Sequence, residues 1–156
     1  MNTNPAPRQS VATAQRLNDA MTRLRARLRV ESGQHTTGLT LTQLGVLASV
    51  VREGPVTAAR LATLERVSAQ SIAQSLAVLK AAGLVRSEPD AQDGRKKLMS
   101  ADPSATELVD KLLAGRASFL ARAIDRLLAP EERKDLDKAI ELLERLAGAE
   151  LDDGRI

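Results

Sequence analysis

Arg95, Lys96 and Lys97 stand side by side in the stretch SEPDAQDGRKKLMSADP, Ser87–Pro103. The same stretch holds two prolines, one glycine and three aspartates, and short apolar runs flank it. Pro, Gly and Asp mark a turn, but a turn does not need three adjacent cations. A row of guanidinium and ammonium groups on an exposed tip suits a phosphate-bearing partner. Asp93, two residues before Arg95, can pair with the guanidinium and hold it in one orientation. Strand alternation would point Lys96 and Lys97 in opposite directions. The same tip would also suit a solvated turn, where an ion pair is worth about 0–1 kcal/mol.

A second polar cluster lies upstream, in SAQSIAQSLAVLKAAG from Ser68 to Gly83. Ile72, Leu76 and Leu79 are spaced by four and three, which places them on the buried side of a helix. Gln70, Ser71, Gln74 and Ser75 share another face. Gln can bond adenine bidentately, and Ser can meet a base or a phosphate. An ordinary solvated helix face has the same composition. Ser68 can cap the helix start and Gly83 can stop its end. A shorter helix precedes it, capped by Thr57, running to about Arg66 and burying Leu61 and Leu64. Two short helices with a tight connection at Arg66–Ser68 are the pattern of a helix-turn-helix, whose second helix enters the major groove. A hairpin beside it can reach flanking backbone or minor groove. Arg95 then suits the minor groove, whose negative potential attracts arginine. Lys96 and Lys97 suit phosphates, and Ser68 and Arg86 complete the set of DNA-facing candidates.

These groups need a scaffold, and the rest of the chain is mostly helical in pattern. From Val11 to Val30, Leu17, Met21, Leu24 and Leu28 form a stripe spaced four, three and four. ESGQHTTG then breaks the helix without a large apolar residue. Thr40 and Gln43 form a T-x-x-Q capping box for a second helix that buries Leu44, Leu47, Ala48 and Val51. EGPV, Glu53–Val56, ends it. LVRSEP and KKLMSA flank the charged turn as strands. Asp102 caps a fifth helix with Pro103 at its first position. Its stripe comprises Leu108, Leu112, Leu113, Phe119, Leu120, Ile124, Leu127 and Leu128. Pro130 opens a sixth helix with the stripe Leu136, Ile140, Leu143 and Leu146. Residues 1–10 read as a disordered tail, and DDGRI as a frayed end.

The chain has 156 residues and a net charge of +3, which suggests one domain or one domain with an extension. The charge is unevenly spread. Residues 1–31 carry six Arg against Asp19 and Glu31, giving +4. Residues 32–100 carry eight basic against five acidic residues, giving +3, and residues 101–156 carry nine against thirteen, giving −4. The basic part suits an anionic partner. With no Cys, disulfides, thiolate metal sites and thiol redox sensing are excluded. No apolar run is long enough to span a bilayer, and no signal peptide is visible, which fits a cytoplasmic location. One His, no glycine-rich phosphate loop and no metal-ligand cluster argue against an enzyme or a bound cofactor. Glu131 and Glu132 are explained as acids at a helix N-terminus.

In this order the pieces resemble the MarR family of winged helix-turn-helix regulators. The matching segments are LTLTQLGVL (Leu39–Leu47), GPVTAARLA (Gly54–Ala62), VSAQSIAQSLAVLKAAGLVRS (Val67–Ser87) and DGR (Asp93–Arg95). They keep the family's order and spacing across roughly residues 39–103. The chain departs from the family pattern at Ala101, Asp102 and Ala105, where the family has an L-T pair and later a glycine. Gln74 stands where many members have a basic residue.

The resemblance implies a mainly α fold with a small β-hairpin wing. A winged domain over 39–101 would sit between a dimerisation helix at 11–31 and dimerisation helices at 102–150. It implies a homodimer on a near-palindromic duplex site, acting as a transcriptional regulator. Many members are repressors released by a small ligand held between the dimer helices and the DNA-binding lobe. Arg23, Arg27 and His35 can be placed near such a pocket, or simply in solvent. The apolar stripes of the terminal helices support the dimer independently, because monomers avoid large apolar patches. The competing reading is a winged-helix module that binds another protein and has no ligand response.

Overall fold

Nine helices and strands carry the fold of the computed structural model, which describes residues 6–149. Helix α1 spans Ala6–Glu31. It starts ahead of Val11, so residues 6–10 are helical rather than part of a tail. Pro7 does not prevent this, because a proline in the first turn lacks only an N–H that has no intrahelical partner. Residues 1–5 and the DDGRI end lie outside the described residues. Along α1, Met21 and Leu24 are 43% and 49% exposed, while Leu17 and Leu28 are half-buried.

A short 3-10 turn, Gln34–Thr36, follows at Gly33, whose φ is +72°. Ser32 and Gln34 are buried here, although the segment offers no large apolar residue. Gln34 Oε1 accepts a hydrogen bond from Arg116 Nη2 at 2.6 Å. The buried amide oxygen is therefore satisfied by a residue far along the chain.

Helix α2, Leu41–Glu53, opens with the expected capping box. Gln43 N–H donates to Thr40 Oγ1 at 3.2 Å, and Thr40 N–H donates to Gln43 Oε1 at 2.9 Å. Its buried face is Leu44, Val46, Leu47 and Val50, with Ala48 and Val51 only half-buried. α2 meets neighbours on a wider arc than one stripe. It ends at Gly54, whose N–H donates to Val50 O at 2.9 Å. A Cβ at Gly54 would lie 2.6 Å from that carbonyl and 3.3 Å from Met99 O. Gly54→Ala should therefore cost about 1–3 kcal/mol through overpacking. Urea denaturation checks this, and an unchanged midpoint would contradict it.

Strand β1, Val56–Thr57, comes next and was not legible as a strand. Two residues are too short to show an alternating pattern. Helices α3, Ala58–Glu65, and α4, Ala69–Ala81, form the helix-turn-helix. Thr57 Oγ1 accepts from Arg60 N–H at 3.2 Å, and Ser68 Oγ accepts from Ser71 N–H at 3.1 Å. Between them Arg66 adopts a left-handed conformation at φ +53°. The end of α4 is a Schellman turn. Gly83 N–H donates to Lys80 O and Leu84 N–H to Leu79 O, both at 3.0 Å, with Gly83 at φ +73°.

Strands β2, Val85–Pro89, and β3, Lys97–Ala101, pair antiparallel from Val85↔Ala101 to Pro89↔Lys97. β1 pairs with the other edge of β3, giving the order β1-β3-β2. The core of this part contains Val46, Leu47, Val50, Leu61, Ile72, Leu76, Leu79, Val85 and Met99. A half-buried polar contact ties α3 to α2: Ser49 Oγ donates to Glu65 Oε1 and accepts from Arg52 Nη2 at 3.2 Å.

Helix α5 spans Pro103–Leu127 and α6 spans Pro130–Ala147. The chain forms two compact units, the first ending at Arg116 and the second beginning at Ala117 within α5. The first unit thus continues past Asp102, because Ala105, Val109 and Leu112 at the start of α5 are buried. In the second unit, Arg133 Nη1 pairs with Asp125 Oδ1 at 3.3 Å, and Arg133 Nε donates to Leu128 O at 3.2 Å. Glu132 Oε2 accepts from Ala129 N–H at 2.8 Å, which is half a capping box because alanine has no acceptor to return. No described residue of α6 is buried, and Ile140, Leu143 and Leu146 are 44%, 39% and 63% exposed.

Candidate nucleic-acid interface

The α4 helix turns its two sides to different environments. Ile72, Leu76 and Leu79 are buried, as their spacing predicts. Gln70 and Gln74 are exposed, Ser68 is exposed at the cap, and Ser71 is half-buried at the edge of that face. Ser75 departs from the expectation. It is buried, since it lies three residues after Ile72 and four before Leu79 on the inward arc. It is therefore withdrawn from the set of DNA-facing side chains. Ala73 and Ala77 are exposed beside the two glutamines and take the place that Ser75 was expected to fill.

The wing tip is built by backbone-directed aspartates. Asp90 Oδ1 accepts from Gln92 N–H at 2.9 Å, and Asp90 N–H donates to Lys96 O at 2.8 Å. Asp93 Oδ1 accepts from Arg95 N–H at 3.2 Å, while Asp93 O accepts from Lys96 N–H at 2.9 Å. Asp93 thus fixes the turn rather than the Arg95 guanidinium. Among the described residues no ion pair joins the two side chains. An Asx turn uses the carboxylate on the nearest N–H two residues on, and leaves the guanidinium to solvent.

Arg95, Lys96 and Lys97 all line one groove of about 700 Å³ together with Lys80, Ala73 and Met99. Lys96 precedes β3, so strand alternation does not separate it from Lys97. Lys80 was not legible as part of this cluster, because only the fold brings the end of α4 to the wing. Arg86 lies elsewhere, exposed on β2 opposite Ser100. Its charge acts on Asp102 at the wing base. The Asp102 carboxyl is held below its ordinary value mainly by the Ser104 hydroxyl and also by the Ser104 N–H, with Arg86 adding attraction against some desolvation. Those two hydrogen bonds measure 2.6 Å and 3.0 Å and cap α5 as expected.

A second cavity, of about 350 Å³, lies in the first unit among α1, α2 and α5. Arg25 and Arg116 line it with Leu44, Ala48, Leu112 and Leu113. Arg23, Arg27 and His35 are not in its lining. Arg23 borders a shallow cleft along α1, and Arg27 pairs with Glu31 at 2.6 Å. No helix among the described residues is long and apolar enough to cross a membrane.

Residues 37–96, which hold the helix-turn-helix and most of the wing, match the family model described as MarR family. An uncharacterised HTH-type transcriptional regulator of Mycobacterium leprae is 33% identical over 129 residues, covering 81% of this chain and 87% of the relative. The chain belongs to the MarR family. Among solved structures of like fold, a transcriptional regulator protein of Pseudomonas aeruginosa PA01 is 30% identical. It covers 96% of this chain and 100% of its own, with a TM-score of 0.76. A MarR family protein of Bacillus stearothermophilus gives the same TM-score at 16% identity, covering 96% and 99% of the two chains, which is a likeness of fold alone. The MarR assignment accounts for the helix order, the wing and the position of the glutamine-bearing helix. The expected fold class is borne out, with β1 added to the hairpin.

Proposed function

We propose that this MarR-family chain is a homodimeric, sequence-specific regulator of transcription that binds double-stranded DNA, a repressor released by a small-molecule ligand. The observation that carries the reading is one juxtaposition. A neutral polar helix face, led by Gln70 and Gln74, adjoins a groove lined by Lys80, Arg95, Lys96 and Lys97. A helix-turn-helix needs such a face for base edges and such cations for the sugar-phosphate chain. Ser68 and Ser71 fit backbone or base contacts at the start of α4, and Arg86 fits a flanking phosphate.

In this reading the winged domain, 39–101, is the DNA-binding part, and residues 11–31 and 102–150 supply the dimer contacts. The exposed stripes of α1 and α6 are the motive, because a second copy would cover them. Two-fold symmetry then calls for a near-palindromic site with half-sites about 10 bp apart. The cavity among α1, α2 and α5 is of a size that small ligands occupy. Its two arginines on an apolar wall favour an anionic, apolar-bodied effector. Gln34 Nε2 and Arg116 Nε are buried without a hydrogen-bond partner among the described residues, which adds unused donors nearby. Such a ligand releases DNA only by its differential affinity for two arrangements of the dimer, and DNA must weaken ligand binding by the same factor. The protein acts in the cytoplasm, by binding rather than by catalysis.

Anisotropy titrations on a panel of duplexes test the division of labour. Arg95→Ala should weaken binding to all sequences and lower the salt slope by about 1, whereas Gln70→Ala and Gln74→Ala should relax base preference by about 1–3 kcal/mol each. Equal losses on every sequence for all three variants would contradict the assignment. Thermal-shift hits among aromatic acids should lower DNA affinity; hits that saturate and leave it unchanged are not effectors.

A further inference from the structure

We infer that α4 reads A·T base pairs in preference to G·C. The inference rests on the DNA-binding function proposed above and adds the chemistry of the site. Gln70, Ala73, Gln74 and Ala77 are all exposed, and they stand at i, i+3, i+4 and i+7 on one face, opposite Ile72, Leu76 and Leu79. From Ala69 to Leu79 the helix carries no charged residue. Guanine is most commonly read by Arg or Lys at O6 and N7, and cytosine by Asp or Glu at N4. Neither kind of side chain stands on this face. The first cation of α4, Lys80, is in the last turn and lines the groove beside the wing.

What remains matches A·T. The glutamine amide donates to adenine N7 and accepts from N6, and an alanine methyl packs on the thymine C5-methyl. Gln and Ala follow one another along the face, so each glutamine has a methyl beside it for the opposite strand or the next step. The four positions span about 10 Å of helix, which is about three base-pair steps. Ser71, at the edge, bonds either kind of pair and selects neither. Each half-site should therefore hold about three adjacent A·T pairs under α4.

The test uses the full chain on duplexes selected from a random library. The α4-read positions are those whose base preference changes in Gln70→Ala or Gln74→Ala. At these positions 7-deazaadenine, which lacks the N7 acceptor, should raise Kd about 5- to 150-fold. Deoxyuridine in place of thymidine, which removes only the methyl, should raise it by a smaller factor. Gln74→Arg should move the selected pair at its position to G·C. G·C pairs at the α4-read positions of the unmodified protein, or insensitivity to both analogues, would overturn the inference while leaving DNA binding intact. Enrichment of no duplex at all would overturn the proposed function, and this inference with it.

Discussion

Leu143→Glu should take the proposed dimer apart and reduce DNA affinity by about 10²-fold or more. Leu143 stands in the exposed α6 stripe with Ile140 and Leu146. No described residue of α6 is buried within its own chain, so the substitution removes nothing from the core. It places a charge where the partner's apolar surface would close, and an unpaired buried carboxylate is strongly unfavourable. Two linked recognition helices gain avidity by about 10²–10⁴-fold over one, and a monomer forfeits that gain. Sedimentation equilibrium at micromolar concentration should report about two chains of 16.7 kDa for the parent protein and one for the variant. Far-UV circular dichroism should be unchanged. A parent protein that is monomeric and melts cooperatively would contradict the account, as would a variant that stays dimeric.

Leu61→Ala should destabilise the first unit by about 2–5 kcal/mol, through lost transfer energy and the cavity left behind. Leu61 is fully buried and is the one buried residue of α3. It joins the core that holds Leu47, Ile72 and Leu79. Without it α3 keeps its Thr57 cap and the Ser49–Glu65 bond but loses its apolar anchor. The expected loss is a large share of a typical stability of about 5–15 kcal/mol. Urea unfolding with a shifted midpoint and unchanged slope would carry the result. A shift equivalent to less than about 1 kcal/mol would mean that the core is not organised around this side chain.

Local chemistry was legible in the sequence wherever a feature spans a few residues. The Thr40–Gln43 box, the Thr57, Ser68 and Asp102 caps and the Gly83 stop all depend on neighbours within four positions, and all form. The inward face of α4 followed from helical period, because Ile72, Leu76 and Leu79 are large enough to mark it. Ser75 was misread because a small polar residue on the inward arc carries no signal of its own. Asp93 was misread for a different reason: the nearby guanidinium and the nearby N–H compete for it, and turn geometry decides for the N–H. Gln34 with Arg116, and Lys80 with the wing, depend on contacts between distant segments that no spacing encodes. β1 gains its identity only from its pairing with β3.

Selection of ligands from random-sequence duplex DNA separates a two-fold symmetric duplex reader from every other mode of binding. The account predicts enrichment of a near-palindromic duplex whose half-sites are centred about 10 bp apart, each bound by one chain of the dimer. Recovery of an asymmetric site, preference for single strands, or no enrichment above the starting library would contradict it.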